Sequence, residues 1–353
     1  MFKKGKKAPS TFMHTVNTIT MLIIILSTAT SRLGDTAPFR KILFSFHMPL
    51  FFLVSGLVLD RKKGSWVAFE KMLGLKYAVP YFLWALIYSV FSYRHLGWIL
   101  YGSCQALDKA QTLIILCFMT TMLVARNLVE LALEVINRPG LKNRYYGLCA
   151  ALLFFAVGIL LPKIESIGYP WNCNVAFTAA GFLMLGYALR DVIEKEAKKL
   201  VFIIAAFAVS LIIFCCGTVL RMDQLDMVYL RSGDYGNIFW FFVNALSGSI
   251  LVVSLSMLIK QTWKNEGSLI TERDEAGISP VTLGTFVIHM PLMLQVILPL
   301  LSMIPVNLPP IILFLAAMVL TKFISGKIIK FVARYVPQLF GMIPNPAVYA
   351  DIK

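Results

Sequence analysis

Long apolar runs, separated by short polar segments, dominate the chain from residue 15 to residue 325. A membrane-spanning helix needs about 20 consecutive apolar residues. The sequence therefore predicts an all-α polytopic membrane protein, a bundle of about ten transmembrane helices. The predicted spans are 15–31, 42–59, 76–93, 112–135, 145–161, 172–189, 200–219, 237–259, 281–301 and 305–325.

The polar segments orient these helices. Most of the 33 Lys and Arg residues lie in the N-terminal segment, in the alternate loops 60–76, 137–144, 190–199 and 260–280, and in the C-terminal segment. Lys and Arg concentrate in cytoplasmic loops, so both termini are predicted to be cytoplasmic. His47 then lies near the outer end of the second helix.

Composition supports the same class of protein. The chain is 58% hydrophobic and 14% charged, whereas soluble domains carry about 25% charged residues. The net charge of +15 does not indicate a nucleic-acid ligand, because the basic residues lie between apolar runs; membrane lipids are the predicted partners. No linker divides the chain, so we expect one domain over 1–353, with an amphipathic cytoplasmic tail at about 326–353.

Cysteine spacing gives no sign of a metal or redox site. The six cysteines show no C-x-x-C pair, and most lie inside apolar runs, where cysteine behaves as a small hydrophobic residue. We therefore expect no structural disulfide and no metal site.

Two histidines fall inside predicted spans. His47 lies in "FSFHMPLFFLVSG" (44–56) and His289 in "TLGTFVIHMPLM" (282–293), and each is followed by Met-Pro. Ionisable groups within spans are rare and usually face a protein-lined cavity. A neutral imidazole beside the first helical turn that Pro49 marks can act as a general base, with Ser55 further along the same helical face. The alternative is that His47 only forms a packing hydrogen bond between helices.

Further polar residues flank the spans. Trp171 and Asn172 precede the sixth helix, and Tyr235 and Asn237 precede the eighth. These four side chains are candidates for binding sugar hydroxyls on the outer side. An interfacial aromatic belt also explains Trp171, and a helix-capping turn also explains the residues before the eighth helix.

Charged residues give two more candidates. Arg126 lies four residues before Glu130 in the fourth helix, so it either forms a structural ion pair or lines a polar pathway as a substrate-binding residue. Arg61, Lys62 and Lys63 follow the second helix on the predicted cytoplasmic side. They are candidates for binding phosphates, of lipids or of a cytoplasmic cofactor such as coenzyme A. Neither a P-loop nor a G-x-S-x-G motif is present.

Together these residues resemble a known family. "FSFHMPLFFLVSGLVL" resembles the second-helix motif of the acyltransferase 3 family of membrane O-acyltransferases, especially its fucose-4-O-acetylase-like branch. Weaker similarities follow in the family's order: "YPWNCNVAFTAAGFLMLGYALR", "YGNIFWFFVNALSG" and "TLGTFVIH".

The resemblance implies an enzyme that transfers an acyl group, often acetyl from acetyl-CoA, to a hydroxyl of a surface polysaccharide or a lipid-linked glycan. It implies a bacterial cytoplasmic membrane and roles for His47 and His289, which match the family's histidines of the second and ninth helices. The first helix departs from the family pattern. It reads "VNTITMLIIILSTAT", and Ala29 or Thr30 stands where the family has a catalytic histidine.

Two functions therefore remain open. In the first, acetyl-CoA is the acyl donor, His47 is the general base, and His289 or Ser55 orients the ring or stabilises the oxyanion. In the second, the chain is a non-catalytic member that acts in transport or assembly of a surface glycan, with glycan-assembly proteins as partners. An enzyme should bring both histidines to one cavity open to the cytoplasm, whereas a transporter should show a wide polar path. The oligomeric state is left open.

Overall fold

A computed structural model of the chain describes residues 11–32, 37–59, 65–89, 93–110, 113–136, 144–161, 164, 166–196, 199–262, 278–303 and 309–342. Within these residues every regular element is a helix. The α-helices are α1 (Thr11–Ala29), α2 (Pro38–Phe44), α3 (His47–Val58), α4 (Trp66–Leu73), α5 (Val79–Tyr88), α6 (Leu96–Tyr101), α7 (Cys104–Asp108), α8 (Cys117–Ile136), α9 (Arg144–Leu160), α10 (Cys173–Glu196), α11 (Leu200–Gly217), α12 (Ile238–Thr262), α13 (Pro280–Pro291), α14 (Leu298–Ser302) and α15 (Pro310–Val332).

Seven helical stretches among the described residues are long and apolar enough to cross a membrane. They are Pro38–Val58, Ile114–Ile136, Pro170–Glu196, Leu200–Gln224, Ile238–Gln261, Pro280–Ser302 and Pro310–Val332. His14–Ala29 and Tyr145–Leu160 are apolar but shorter. The all-helical membrane fold is thus confirmed, while the count of ten spans and the cytoplasmic termini stay predictions.

The predicted third span differs from the observed helix at its start. Helical structure begins at Trp66, ten residues before the predicted start, and runs through a π-helical segment, Gly74–Ala78, into α5. Ser65 caps this start, since its hydroxyl accepts a hydrogen bond from the Ala68 amide at 3.2 Å. α4 carries Glu70 and Lys71 among its apolar residues, and its start is exposed, so the length of the apolar run did not predict it.

Glycines bring α3 and α10 together. A Cβ added at Gly56 would overlap the backbone carbonyl of Leu183, and one added at Gly186 would overlap that of Leu53. Small residues at such positions let helices in membranes approach backbone to backbone. This contact fixes α3, and with it His47, against the longest buried stretch of α10.

A proline shapes the helix that carries His289. Pro291 has no amide hydrogen, so it leaves the carbonyl of Val287 without its usual helical donor. The hydroxyl of Tyr88 donates to that carbonyl at 3.1 Å. A π-helical segment, Leu292–Ile297, follows the proline, as is common where a helix is perturbed.

The predicted amphipathic tail begins inside a helix. α15 continues to Val332 and so includes the first residues of the tail. A 3₁₀ turn, Pro337–Phe340, then packs on the bundle, where Trp84 Nε1 donates to the Leu339 carbonyl at 2.8 Å and the Phe340 side chain is fully buried. Residues 343–353 lie outside the described residues.

Candidate active site

The two intramembrane histidines line one cavity. It has a volume of about 140 Å³ and is bounded by α1, by the junction of α2 and α3, by the starts of α8 and α10, by the loop before α12 and by α13. Most of its wall is apolar or aromatic. Arg231, in the loop before α12, is the exposed residue of its described lining. We call the side of the bundle that holds this cavity the cavity end; it contains the end of α1 and the start of α3.

His47 is held at a break between two helices. α2 ends at Phe44, and Phe46 leaves helical geometry (φ −141°, ψ −17°) before α3 begins at His47. Pro49 therefore lies in the first turn, as predicted. His47 is buried, and its Nδ1 lies 2.9 Å from the carbonyl oxygen of Leu43.

That contact fixes the tautomer of His47. A carbonyl oxygen can only accept a hydrogen bond, so Nδ1 carries the hydrogen, and the neutral ring has its lone pair on Nε2. Within the described part of the chain no other hydrogen bond engages this ring. The Phe44 ring packs edge to face against it, with centroids 4.8 Å apart. Nε2 is thus available to a group in the cavity.

His289 is held in the same manner but is bonded at both nitrogens. Its Nδ1 lies 2.5 Å from the carbonyl oxygen of Phe286, so Nδ1 again carries the hydrogen. Its Nε2 lies 3.1 Å from the hydroxyl of Thr28 on α1. His289 is therefore positioned by α1, whereas Nε2 of His47 has no such partner.

A second, smaller cavity lies towards the other end of the same helices. It has a volume of about 20 Å³ and is lined by polar groups of Asn17, Ser55, Ser279 and Thr282. α1, α3 and α13 contribute to both cavities. Their polar lining residues, Asn17 and Thr28, Ser55 and His47, and Thr282 and His289, lie roughly 10–17 Å apart along each helix at a rise of 1.5 Å per residue. Ser55, predicted beside the histidines, lies in this second cavity.

Three phenylalanines pack where these helices meet α8. Ring centroids of Phe118 and Phe286 are 4.0 Å apart, and those of Phe51 and Phe118 are 5.0 Å apart. Phe51 lines the smaller cavity, while Phe118 and Phe286 line the larger one. This aromatic cluster lies between the two cavities.

Asn172 lies at the cavity wall, but its side-chain nitrogen and oxygen form hydrogen bonds with other groups of the protein. Its Nδ2 donates to Thr121 Oγ1 at 2.9 Å and to the Arg231 carbonyl at 3.1 Å, and its Oδ1 accepts from the Cys104 amide at 3.4 Å. It also adopts positive φ (58°), which asparagine tolerates better than most residues. Asn172 therefore joins α7, α8 and the loop before α12.

Trp171 stabilises the segment before α10 from outside the cavity. It too has positive φ (51°), and its Nε1 donates to the Leu100 carbonyl at 3.1 Å. Its ring lies 5.9 Å from that of Tyr81. The structure thus brings Asn172, and not Trp171, to the cavity that contains the histidines.

Tyr235 and Asn237 stabilise the loop before α12. The hydroxyl of Tyr235 lies 2.7 Å from that of Thr178 on α10, and burial raises the pKa of Tyr235 to about 12. Asn237 caps α12, since its Oδ1 accepts from the Trp240 amide at 3.2 Å and its amide donates to Asp226 at 2.8 Å. Neither residue lines the cavity.

The charged candidates lie elsewhere. Arg126 is 1% exposed, and its guanidinium carbon is 5.5 Å from the Phe69 ring centroid, away from the cavity lining. Arg61, Lys62 and Lys63 lie outside the described residues.

Sequence reasoning missed two cavity residues, Thr28 and Arg231. Thr28 is one small hydroxyl in an apolar helix, and only the fold brings it to His289. Arg231 sits in a loop whose path the sequence pattern does not specify. The repeated His-Met-Pro was the one signal that pointed to the shared cavity.

Comparison with known proteins agrees with this architecture. A family model described as an acyltransferase domain matches residues 11–328, which is most of the chain. No curated protein and no solved structure matches it. Because the match includes both histidines and all the helices that bound the cavity, the chain belongs to the acyltransferase 3 family, whose members are membrane acyltransferases.

Proposed function

We propose that this chain is a membrane O-acyltransferase in which His47 is the general base. It moves an acyl group, acetyl in the simplest case, from acyl-CoA to a hydroxyl of a surface polysaccharide or of a lipid-linked glycan. The observation that carries the proposal is the Nδ1 contact of His47 with the Leu43 carbonyl, which leaves a basic Nε2 facing a cavity.

The reaction follows from that geometry. Nε2 of His47 removes the proton of the acceptor hydroxyl as the oxygen attacks the thioester carbonyl carbon. The tetrahedral intermediate then breaks its carbon–sulfur bond, and the departing thiolate takes the proton from His47. General-base catalysis of this kind contributes about 10²- to 10⁴-fold to rate. His289, held by Thr28, lines the same cavity and is positioned to orient the reacting groups.

The cavity is large enough for the reacting acyl group and too small for the rest of the donor. An apolar cavity of about 150 Å³ can hold a benzene molecule, so one of about 140 Å³ accommodates an acetyl thioester and not a whole coenzyme. The nucleotide of the donor must therefore bind elsewhere. The basic segment Arg61–Lys63 remains our candidate for its phosphates.

The predicted orientation puts this cavity on the outer side, because His47 lies near the outer end of its helix. A cytoplasmic acyl donor would instead need a cavity open to the cytoplasm. Val58 and Glu196, where α3 and α10 end before predicted cytoplasmic loops, lie at the far ends of those helices from the cavity. With the predicted orientation, the acceptor approaches from outside past Arg231. The acyl group of a cytoplasmic donor then has to reach the cavity past Phe51, Phe118 and Phe286.

The alternative is a non-catalytic role in transport or assembly of a glycan. The departure in α1 favours it, since Ala29 or Thr30 stands where the family has a catalytic histidine, and neither side chain can act as a base. The size of the cavity argues against a transport path for a glycan, because about 140 Å³ holds an acetyl thioester and not a sugar chain. We therefore place the enzyme first.

The test is the ester content of the surface glycan, measured by mass spectrometry. A deletion strain is compared with strains that carry wild type, His47→Gln or His95→Gln at matched membrane levels. His95 lies in a turn away from the cavity and serves as the control. We expect wild type and His95→Gln to restore an ester that His47→Gln does not restore. Equal ester content in all strains contradicts the proposal for that glycan.

A further inference from the structure

Arg231 is the one charged side chain in the described lining of the cavity. It is exposed, while the two histidines further inside are buried. It forms no ion pair with the described carboxylates. An exposed cation at the edge of a mostly apolar and aromatic cavity is accessible to a ligand that approaches the cavity.

The backbone around Arg231 is held firmly. Its carbonyl accepts from Asn172 Nδ2 at 3.1 Å, and a bridge between Tyr229 and Asp234 closes the turn on either side of it. The buried Leu230 precedes it. The loop thus presents Arg231 from a fixed base, which reduces the ordering cost of binding.

Aromatic rings connect this position to His47. The guanidinium carbon of Arg231 is 5.7 Å from the Tyr229 ring centroid, the Tyr229 ring is 6.0 Å from that of Phe44, and Phe44 packs on His47. Arg231 is therefore linked through Tyr229 and Phe44, two aromatic residues of the cavity lining, to the buried His47.

Two carboxylates of this loop, Asp226 and Asp234, accept hydrogen bonds from backbone amides of the loop. Asp226 Oδ2 accepts from the Asn237 amide at 2.8 Å, and Asp234 Oδ1 accepts from the Gly236 amide at 3.4 Å. Neither belongs to the cavity lining. Arginine forms short, charge-assisted hydrogen bonds with phosphate and carboxylate groups.

We propose that Arg231 binds an anionic group, a phosphate or a carboxylate, of the glycan at the cavity entrance, and so selects acidic or phosphate-linked sugars over neutral ones. The identification of the ligand as a glycan rests on the proposed function. The anion site itself rests on the position of Arg231 and on the composition of the cavity lining.

The experiment uses His47 as a reporter and needs no acyl transfer. The full chain in nanodiscs of zwitterionic lipid is treated with diethylpyrocarbonate, and modification of His47 is followed by peptide mass spectrometry. Glucose 1-phosphate, glucuronate and glucose are compared as protecting ligands in wild type, Arg231→Gln, Arg231→Lys and Arg221→Gln. Arg221 is the matched control, since it stacks on Trp240 at 3.9 Å and does not line the cavity.

We expect at least one anionic sugar to protect His47 at a concentration about tenfold or more below that of glucose, as one charge-assisted contact provides. Arg231→Gln should abolish this difference, Arg231→Lys should keep part of it, and Arg221→Gln should keep all of it. Stronger protection by glucose 1-phosphate identifies phosphate as the bound group, and stronger protection by glucuronate identifies carboxylate.

Three results overturn the proposal: equal protection by all three sugars in wild type, no protection by either anionic sugar, or unchanged selectivity in Arg231→Gln. The labelling rate without sugar shows whether each variant keeps its cavity, and Arg231→Met repeats the charge removal if Arg231→Gln does not fold. If protection depends on the charge of the sugar but the chain transfers no acyl group, the proposed function is refuted and the anion site is still supported.

Discussion

Thr28 and His289 are joined across two helices by a contact of 3.1 Å between Oγ1 and Nε2. The same hydroxyl lies 3.2 Å from the Ile24 carbonyl, and it has one hydrogen to donate. With a neutral His289, Thr28 donates to Nε2. If His289 takes up a proton, Nε2 donates to Thr28, which then donates to Ile24. This threonine can therefore serve either protonation state of the ring.

Thr28→Val removes this hydroxyl at nearly constant volume. A typical net hydrogen bond of about 0.5–1.5 kcal/mol corresponds to a roughly two- to tenfold loss of acyl transfer if His289 has to be oriented. Thr28→Ser should restore most of the rate. The measurement is the transfer rate of each variant at equal protein level. A Thr28→Val enzyme as fast as wild type would show that the contact only packs the helices.

Asn172 should matter for stability more than for substrate binding. Asn172→Ala removes three hydrogen bonds and places alanine at positive φ, which together should lower the free energy of unfolding by about 2–4 kcal/mol. Thermal unfolding in detergent checks this. Asn237→Ala, which removes only an exposed helix cap, should cost about 1 kcal/mol. Equal, small losses in both variants would contradict the role of Asn172 as a joint between α7, α8 and the loop before α12.

The contact between α3 and α10 gives a prediction with its own control. Gly56→Ala and Gly186→Ala force the helices apart, and overpacking of this kind costs about 1–3 kcal/mol. Both variants should unfold at lower temperature and lose activity, because His47 moves with α3. Gly326→Ala in α15 meets nothing within 4 Å and should unfold no earlier than wild type. Unfolding temperatures equal to that of wild type in all three variants would rule out the close contact.

Because Tyr235 is buried, we expect the stability of the protein to depend on pH in the alkaline range. Its pKa is raised to about 12 by burial, from about 10 in an unfolded chain. The folded state favours the neutral phenol, so this contribution to stability is complete below pH 10 and is lost as the pH rises through 12. Tyr235→Phe should be less stable than wild type at pH 8, because Thr178 loses its partner, and the difference should shrink at pH 11. A constant difference in unfolding temperature would contradict this.

The pairing of His47 with His289 could be inferred from the sequence because each lies in a helical stretch beside a proline. The separation of Ser55 from His47 could not. Eight residues return a side chain to a similar helical face, but they also displace it by about 12 Å along the axis. Ser55 and His47 therefore line different cavities although they lie on the same helix.

Residues in loops were the hardest to place. Asn172, Tyr235 and Asn237 were grouped as sugar-binding candidates because they precede helices on one side. Their hydrogen bonds to Thr121, Thr178 and backbone groups depend on how distant segments fold against each other, which helical periodicity does not encode. Arg231 entered the sequence argument only as a charge, and the fold of its loop brings it to the cavity.

The most direct test of His47 as general base is transfer from labelled acetyl-CoA to membranes of a deletion strain, which carry the unmodified acceptor. Wild type, His47→Gln and His95→Gln are compared as purified proteins in nanodiscs, and ester-linked label in the glycan is counted after release by hydroxylamine. We predict a rate in His47→Gln that is about 10²- to 10⁴-fold below that of wild type and an unchanged rate in His95→Gln. Transfer by His47→Gln at the wild-type rate, or no transfer by wild type, would contradict the account.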